Sequence, residues 1–394
     1  MSGDKQKMVN TFFFNNAFIE HGDQIGIPAV LMRGGSSKGL YFKRECIPEY
    51  IEMQDKMLLS IYGSPDARQI DGIGGSDPLT SKAIIVKKSE RDNIDIEYLF
   101  AQIGIDNAKV SYGGNCGNML SGVGPFSIDE GMVEVKDPVT TIRILNLNTN
   151  QIIVAKVPVS NGKAASAGSY HIAGVPKAGA EITLSFIDPQ PTMGTLLPTG
   201  NAIDIIDLDR HQIHVSLIDS VTPFVFVDSK DLEYLGVKGE EDINAISSNS
   251  NLMCALEEIR SNAAKWMGLV KRVEDATTES PNIPRVVYVS KPSEKDKDIT
   301  VRQMSMQRVH KAFSVTGSIC TAVASTIEGT VVNKIISAPT SGEAGLKISH
   351  PSGVINLSAG FTDFGGERKR SVTISRNSRR IMSGYVFMQK KELQ

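Results

Sequence analysis

Two short stretches 200 residues apart constrain this chain more than any other feature. The stretch "NCGNML" sets Cys116-Gly117-Asn118 ahead of an apolar run of small residues, and "VTGSIC" sets Thr316-Gly317-Ser318 ahead of another. Each triplet is predicted to open a buried helix. Two equivalent helix starts predict two similar halves facing a shared cleft. The length agrees: 394 residues exceed one ordinary core and suit two domains of roughly 150–200 residues.

Between these landmarks, short β-rich runs recur. "IPAVLM" (27–32), "KAIIVKK" (82–88), "TTIRILNLN" (140–148), "QIIVAKVPV" (151–159), "ITLSFI" (182–187), "IHVSLI" (213–218), "FVFV" (224–227), "RVVYVS" (285–290) and "SVTISR" (371–376) read as strands. Segments 50–63 and 252–270 have the spacing of amphipathic helices. Strands dominate without regular βαβ alternation, which predicts an α+β fold. The Pro/Gly-rich stretch 189–201 and the charged stretch 292–298 read as connections.

The formal net charge of −2 gives no overall attraction to nucleic acid or to an anionic membrane. No apolar run approaches the ~20 residues of a membrane span. The first residues lack the basic start and long apolar core of a signal peptide. Cys46, Cys116, Cys254 and Cys320 are scattered with no CxxC pair, which argues against a disulfide framework or a zinc site. A cytoplasmic protein is expected.

Four stretches carry candidate chemistry. A helix start at Gly117 would present unpaired N–H groups and partial positive charge to an anion. Cys116 at that turn is either a nucleophilic or proton-carrying thiol or a small buried cysteine. Lys82 stands where "IDGIGGSDPLTS" becomes a strand; it is a solvated strand-start charge or, if desolvated, a base near working pH. Arg33 before Gly34-Gly35-Ser36-Ser37 suits a carboxylate or phosphate, and the absent Walker A spacing argues against nucleoside triphosphates. His310 precedes the second glycine turn and is either structural or a ligand contact. His350 sits in the turn "SHPSG".

The ordered motifs "MRGGSSKGLYF", "IDGIGGSDPLTSK", "GNCGNMLSGVGPF", "LLPTGN", "SLID…PFVFV", "HKAFSVTGSICTA", "HPSG" and "SRRIMSGYV" resemble the PrpF family from about residue 27 to 388. That resemblance implies a diaminopimelate epimerase-like fold: two similar α+β domains, each a sheet or barrel wrapped around a central helix, with the active site in the interdomain cleft. The expected halves are 1–192, carrying Lys82 and Cys116, and 193–394, with the last strand crossing back to the first. The resemblance further implies a cofactor- and metal-independent isomerase of small unsaturated di- or tricarboxylates, such as 2-methylaconitate or aconitate. Methylitaconate isomerase and 4-oxalomesaconate tautomerase are the alternatives.

By the same resemblance Lys82 and Cys116 form the acid/base pair, and which of them removes the proton stays open. Asn115, Gly117, Asn118, Thr316, Gly317 and Ser318 are expected to bind substrate at the two helix starts. Arg33, Ser36, Thr80, Ser81 and His310 are expected to add donors. Epimerases of this fold carry a thiol in each half; here Thr316 replaces the second, and Cys320 lies a turn further in. "SVTP" (220–223) and "GGSDPLTSK" depart from the more usual family patterns and leave the substrate open. A small-acid binding protein and a covalent thiol catalyst are the competing classes. No nucleic-acid or membrane partner is expected, and a homodimer is compatible, since this fold often pairs.

Overall fold

The computed structural model describes residues 18–113, 115–336 and 345–393. Its strands form two series with the same pairing logic. The first series is β1 (Gln24–Gly34), β2 (Ser37–Lys43), β3 (Lys82–Lys88), β4 (Ile96–Ile103), β5 (Val139–Asn146), β6 (Ile152–Ser160) and β7 (Ile182–Ile187). The second is β8 (His211–Ser220), β9 (Thr222–Asp228), β10 (Arg285–Ser290), β11 (Ile299–Ser305), β12 (Leu346–His350), β13 (Gly353–Phe364) and β14 (Glu367–Arg376). In the first series successive pairs run antiparallel, parallel, antiparallel, parallel, antiparallel, antiparallel. The second series repeats that order.

The two series are joined twice. Strand β7 pairs antiparallel with β14. The last strand, β15 (Ser378–Gln389), pairs antiparallel with β1 at the other end of the chain. The helix α1 (Ile51–Tyr62) connects β2 to β3, and α4 (Ser250–Trp266) connects β9 to β10. Between them in sequence lie α2 (Gly117–Leu120) and α3 (Val123–Asp129).

Strand chemistry follows the side chains. "KAIIV" at the start of β3 is buried throughout, and Lys87 and Lys88 mark where it reaches solvent. In β6, Ile153, Ala155, Val157 and Val159 are buried while Lys156 is exposed, the alternation of a half-covered strand.

The predicted helix after Cys116 is two pieces, α2 and α3. Pro125 has no N–H to offer the Ser121 carbonyl four residues back, so the ladder breaks at Ser121-Gly122. In the second half α5 (Val315–Ser325) is unbroken, and Val323 alone among its residues is not buried. Being covered on all sides, it needs small residues and internally satisfied hydroxyls. Thr321 Oγ1 donates to the Gly317 carbonyl at 2.8 Å, and Ser318 Oγ to the Val315 carbonyl at 2.8 Å. The main core cluster takes side chains from both series, including Val30, Phe126, Phe224 and Ile319.

Candidate active site

The starts of α2 and α5 meet. A Cβ on Gly117 would lie 2.3 Å from the Val315 Cβ, so the contact between the two helix tips requires glycine there. Gly117→Ala is therefore expected to lower stability by roughly 1–3 kcal/mol, the usual cost of overpacking, read from the urea midpoint. Adding Val315→Ala should restore little, because the nearest clashing atom is the Val315 Cβ that alanine keeps. Val315→Gly, which removes it, should recover part of the loss, since the two changes act on one contact.

Beside this junction lies a cavity of about 240 Å³. Lys82, Cys116, Asn118, Arg285, His310 and Thr316 are in its wall. Its lining cations are Lys82, Arg285, Arg308 and Lys311, against one carboxylate, Asp77. Lys311 already pairs with Asp77 at 3.1 Å. The hollow is thus net positive, which favours an anion.

Lys82 opens β3 and is 7 % exposed. Its Nζ donates to Gln102 Oε1 at 2.5 Å and stands 5.3 Å from the Phe100 ring centre. The Gln102 amide in turn donates to the Ser81 carbonyl at 2.9 Å, which fixes its orientation. Burial lowers the Lys82 pKa; the Cys116 sulfur opposes that shift and Arg285 adds to it. A free amine is thereby brought closer to neutral pH.

Cys116 is partly buried, and its Sγ lies 3.9 Å from Ser37 Oγ. Just before it, Asn115 Oδ1 accepts from the Tyr98 hydroxyl at 2.8 Å, while its buried Nδ2 has no partner among the described residues. The Cys116 side chain at the N-cap makes no capping hydrogen bond to the start of α2. The start of α5 differs: Ser314 Oγ caps it, accepting from the Gly317 N–H at 3.1 Å.

Arg285 is the residue that sequence reasoning missed. It opens β10 as Lys82 opens β3, and each sits at the start of the parallel pairing in its series. Its Nη1 donates to Thr316 Oγ1 at 3.3 Å, and its buried Nε has no partner among the described residues. The structural repeat therefore sets an amine and a thiol, Lys82 and Cys116, opposite a guanidinium and a hydroxyl, Arg285 and Thr316. A signal was present: Arg285 follows Lys82 by 203 positions, close to the spacing of the glycine turns.

Not every expected residue reaches the cavity. Asn115, Gly117, Asn118, His310 and Thr316 line it with Lys82 and Cys116; Arg33, Ser36, Thr80, Ser81, Gly317 and Ser318 do not. Arg33 donates to the carbonyls of Gly35 at 2.7 Å and Asn377 at 3.2 Å. Thr80 Oγ1 donates to the Asp77 carbonyl and Ser81 Oγ to Gln69 Oε1, holding the turn in front of Lys82. Ser36 and Ser37 are neighbours that face different ways, and Ser37 is the one beside Cys116. The Ser318 N–H donates to the Ser314 carbonyl inside the helix. Burial pushes the His310 pKa down to about 4, so this ring is neutral at pH 7 and adds no charge. Among the described residues no group of three His, Cys, Asp or Glu side chains is placed to hold a metal ion. No helix among them is long and apolar enough to cross a membrane.

Comparison with known proteins fits this arrangement. The PrpF protein family matches residues 24–389. The chain belongs to the PrpF family. It is 39% identical to the 3-methylitaconate isomerase of Eubacterium barkeri, over 94% of this chain and 99% of that one. It is 40% identical to the 4-oxalomesaconate tautomerase of Pseudomonas putida, over 84% of this chain and 88% of that one. Among solved structures, a methylitaconate-delta-isomerase superposes with a TM-score of 0.77 at 38% identity, covering 95% of this chain and 98% of that one. A hydroxyproline epimerase from Agrobacterium vitis shares the fold alone, with a TM-score of 0.55 at 11% identity over 94% and 95% of the two chains. By this membership the PrpF chain is an isomerase with the epimerase-type α+β fold expected from its motifs.

Proposed function

We propose that this PrpF protein moves an allylic proton in a small unsaturated di- or tricarboxylate, with Lys82 and Cys116 handling the proton. The observation that carries the reading is that a desolvated amine and a thiol share one small, net-positive cavity. The names of the relatives, isomerases and a tautomerase of unsaturated acids, support the substrate class. The same reading divides the chain into epimerase-like halves, 1–192 and 193–394.

A C–H bond beside both a double bond and a carboxylate loses its proton when the resulting dienolate is stabilised. In this reading Arg285 and the Asn115 amide hold the carboxylate on which that charge collects. Lys82, as free amine, takes the proton and becomes ammonium. Cys116 gives its thiol proton to the far carbon of the three-carbon unit, and the double bond shifts. Proton return from the Lys82 ammonium to the Cys116 thiolate resets the site. Turnover in D2O tests this: product and recovered substrate should carry deuterium at the allylic carbons. Tight binding of the acid with no exchange would mark a binding protein instead.

Arg285→Gln should raise KM for the acid by roughly tenfold to a hundredfold, the range for losing a charge-assisted contact. An unchanged KM in the folded variant would remove Arg285 from substrate binding.

A further inference from the structure

Asn118 also lines a second cavity, of about 90 Å³, whose wall includes Ser36, Tyr170, His350, Asn356 and Arg376. The segment Ala312–Phe313 belongs to its wall, while Lys311 and Ser314 on either side belong to the larger cavity. The two hollows are thus neighbours, parted by Asn118 and this segment.

The second hollow holds polar groups with unmet needs. Arg376 is 5% exposed, and its Nη1 donates to the Ser375 carbonyl at 2.9 Å. Among the described residues no Asp or Glu lines the hollow. Burial lowers the Arg376 pKa to about 10, with the Tyr170 hydroxyl as the one group opposing the shift. A buried guanidinium without a counter-charge is unfavourable unless an anion joins it. His350, also 5% exposed, accepts the Ser352 N–H on Nδ1 at 3.2 Å. Burial and the nearby Arg376 hold its pKa to about 3, so the ring is neutral and its proton sits on Nε2. That Nε2 is buried and has no partner among the described residues.

We infer that this second cavity binds a carboxylate, held by the Arg376 guanidinium and the His350 Nε2–H. A guanidinium beside an N–H donor matches the two oxygens of a carboxylate. One water needs roughly 10–15 Å³ of such space, so the hollow takes a carboxylate on a short chain and is too small for a nucleotide. The carboxylate comes from one of two sources: the far end of the substrate reaching past Asn118, or a separate small acid. The first source rests on the reaction proposed above; the second does not.

Titration calorimetry with acetate, glutarate and tricarballylate tests the site. None of these saturated acids can be isomerised, so the result is independent of turnover. If the substrate supplies the carboxylate, tricarballylate should bind about tenfold or more tighter than glutarate, and Arg376→Gln or His350→Gln should erase that advantage. If a separate acid supplies it, acetate should bind one per chain even with saturating glutarate present, and the same variants should abolish acetate binding. In the unaltered protein the His350 ring nitrogen resonance should move with at least one of the three acids, which keeps the test decisive if a variant fails to fold. A His350 signal unmoved by all three, or folded variants that bind each as the parent does, would overturn the inference.

Discussion

Replacing Lys82 by Gln is expected to lower kcat by roughly a hundred- to ten-thousandfold, the range for losing a positioned proton-transfer group. The fold should survive, because a buried amine contributes little net stability once its desolvation is counted. The thermal midpoint should therefore stay level or rise. The pH profile supplies a second readout. Burial lowers the Lys82 pKa, so a base at this position should produce a kcat/KM limb that rises with pH and ends below the usual lysine range. As pH falls through that lowered pKa the amine protonates and activity drops. In Lys82→Gln the limb should vanish; a variant that keeps both rate and limb would remove Lys82 from the chemistry.

Cys116→Ala should cost kcat a similar factor, roughly a hundredfold or more, with deuterium exchange at the substrate carbon it serves lost in parallel. The protein offers a clean chemical check. Cys46 and Cys320 are buried, and burial pushes the Cys46 thiol up to about 11 and the Cys320 thiol well up. Only Cys116 and the exposed Cys254 are open to a small alkylating agent. In a Cys254→Ser background, iodoacetamide should label one site and inactivate in proportion, and a saturated dicarboxylate should slow both. Labelling of Cys116 without loss of turnover would defeat its role.

The parts of this fold that were legible in the sequence are those whose chemistry is local. Glycine turns before runs of small residues marked both central helices, and alternation or unbroken apolar runs marked β3, β6 and β7. The position of Lys82 and Cys116 in one cavity followed from motif resemblance. Other features depend on pairing, which single stretches do not record. Strand β15 carries exposed Ile381, Met382, Tyr385 and Phe387 next to Arg379 and Arg380, so its pattern lacks the period-two signal. Arg285 lacks a glycine-rich approach and reads as an ordinary strand-start charge; its importance emerges when β10 is set on β3. Arg33 shows the opposite failure. Its setting beside two glycines advertised an anion contact, yet Gly35 bends back with φ +52° and the guanidinium bonds the backbone of its own turn.

Because Gln24–Gly34 is completed by Ser378–Gln389, the ribosome must pass Ser378 before this early strand gains that neighbour. Until then the emerging chain carries an unsatisfied β edge, the kind of surface that recruits foreign strands. Premature termination would leave the same edge bare for good, so a fragment ending before Ser378 inherits an aggregation hazard rather than merely a missing tail.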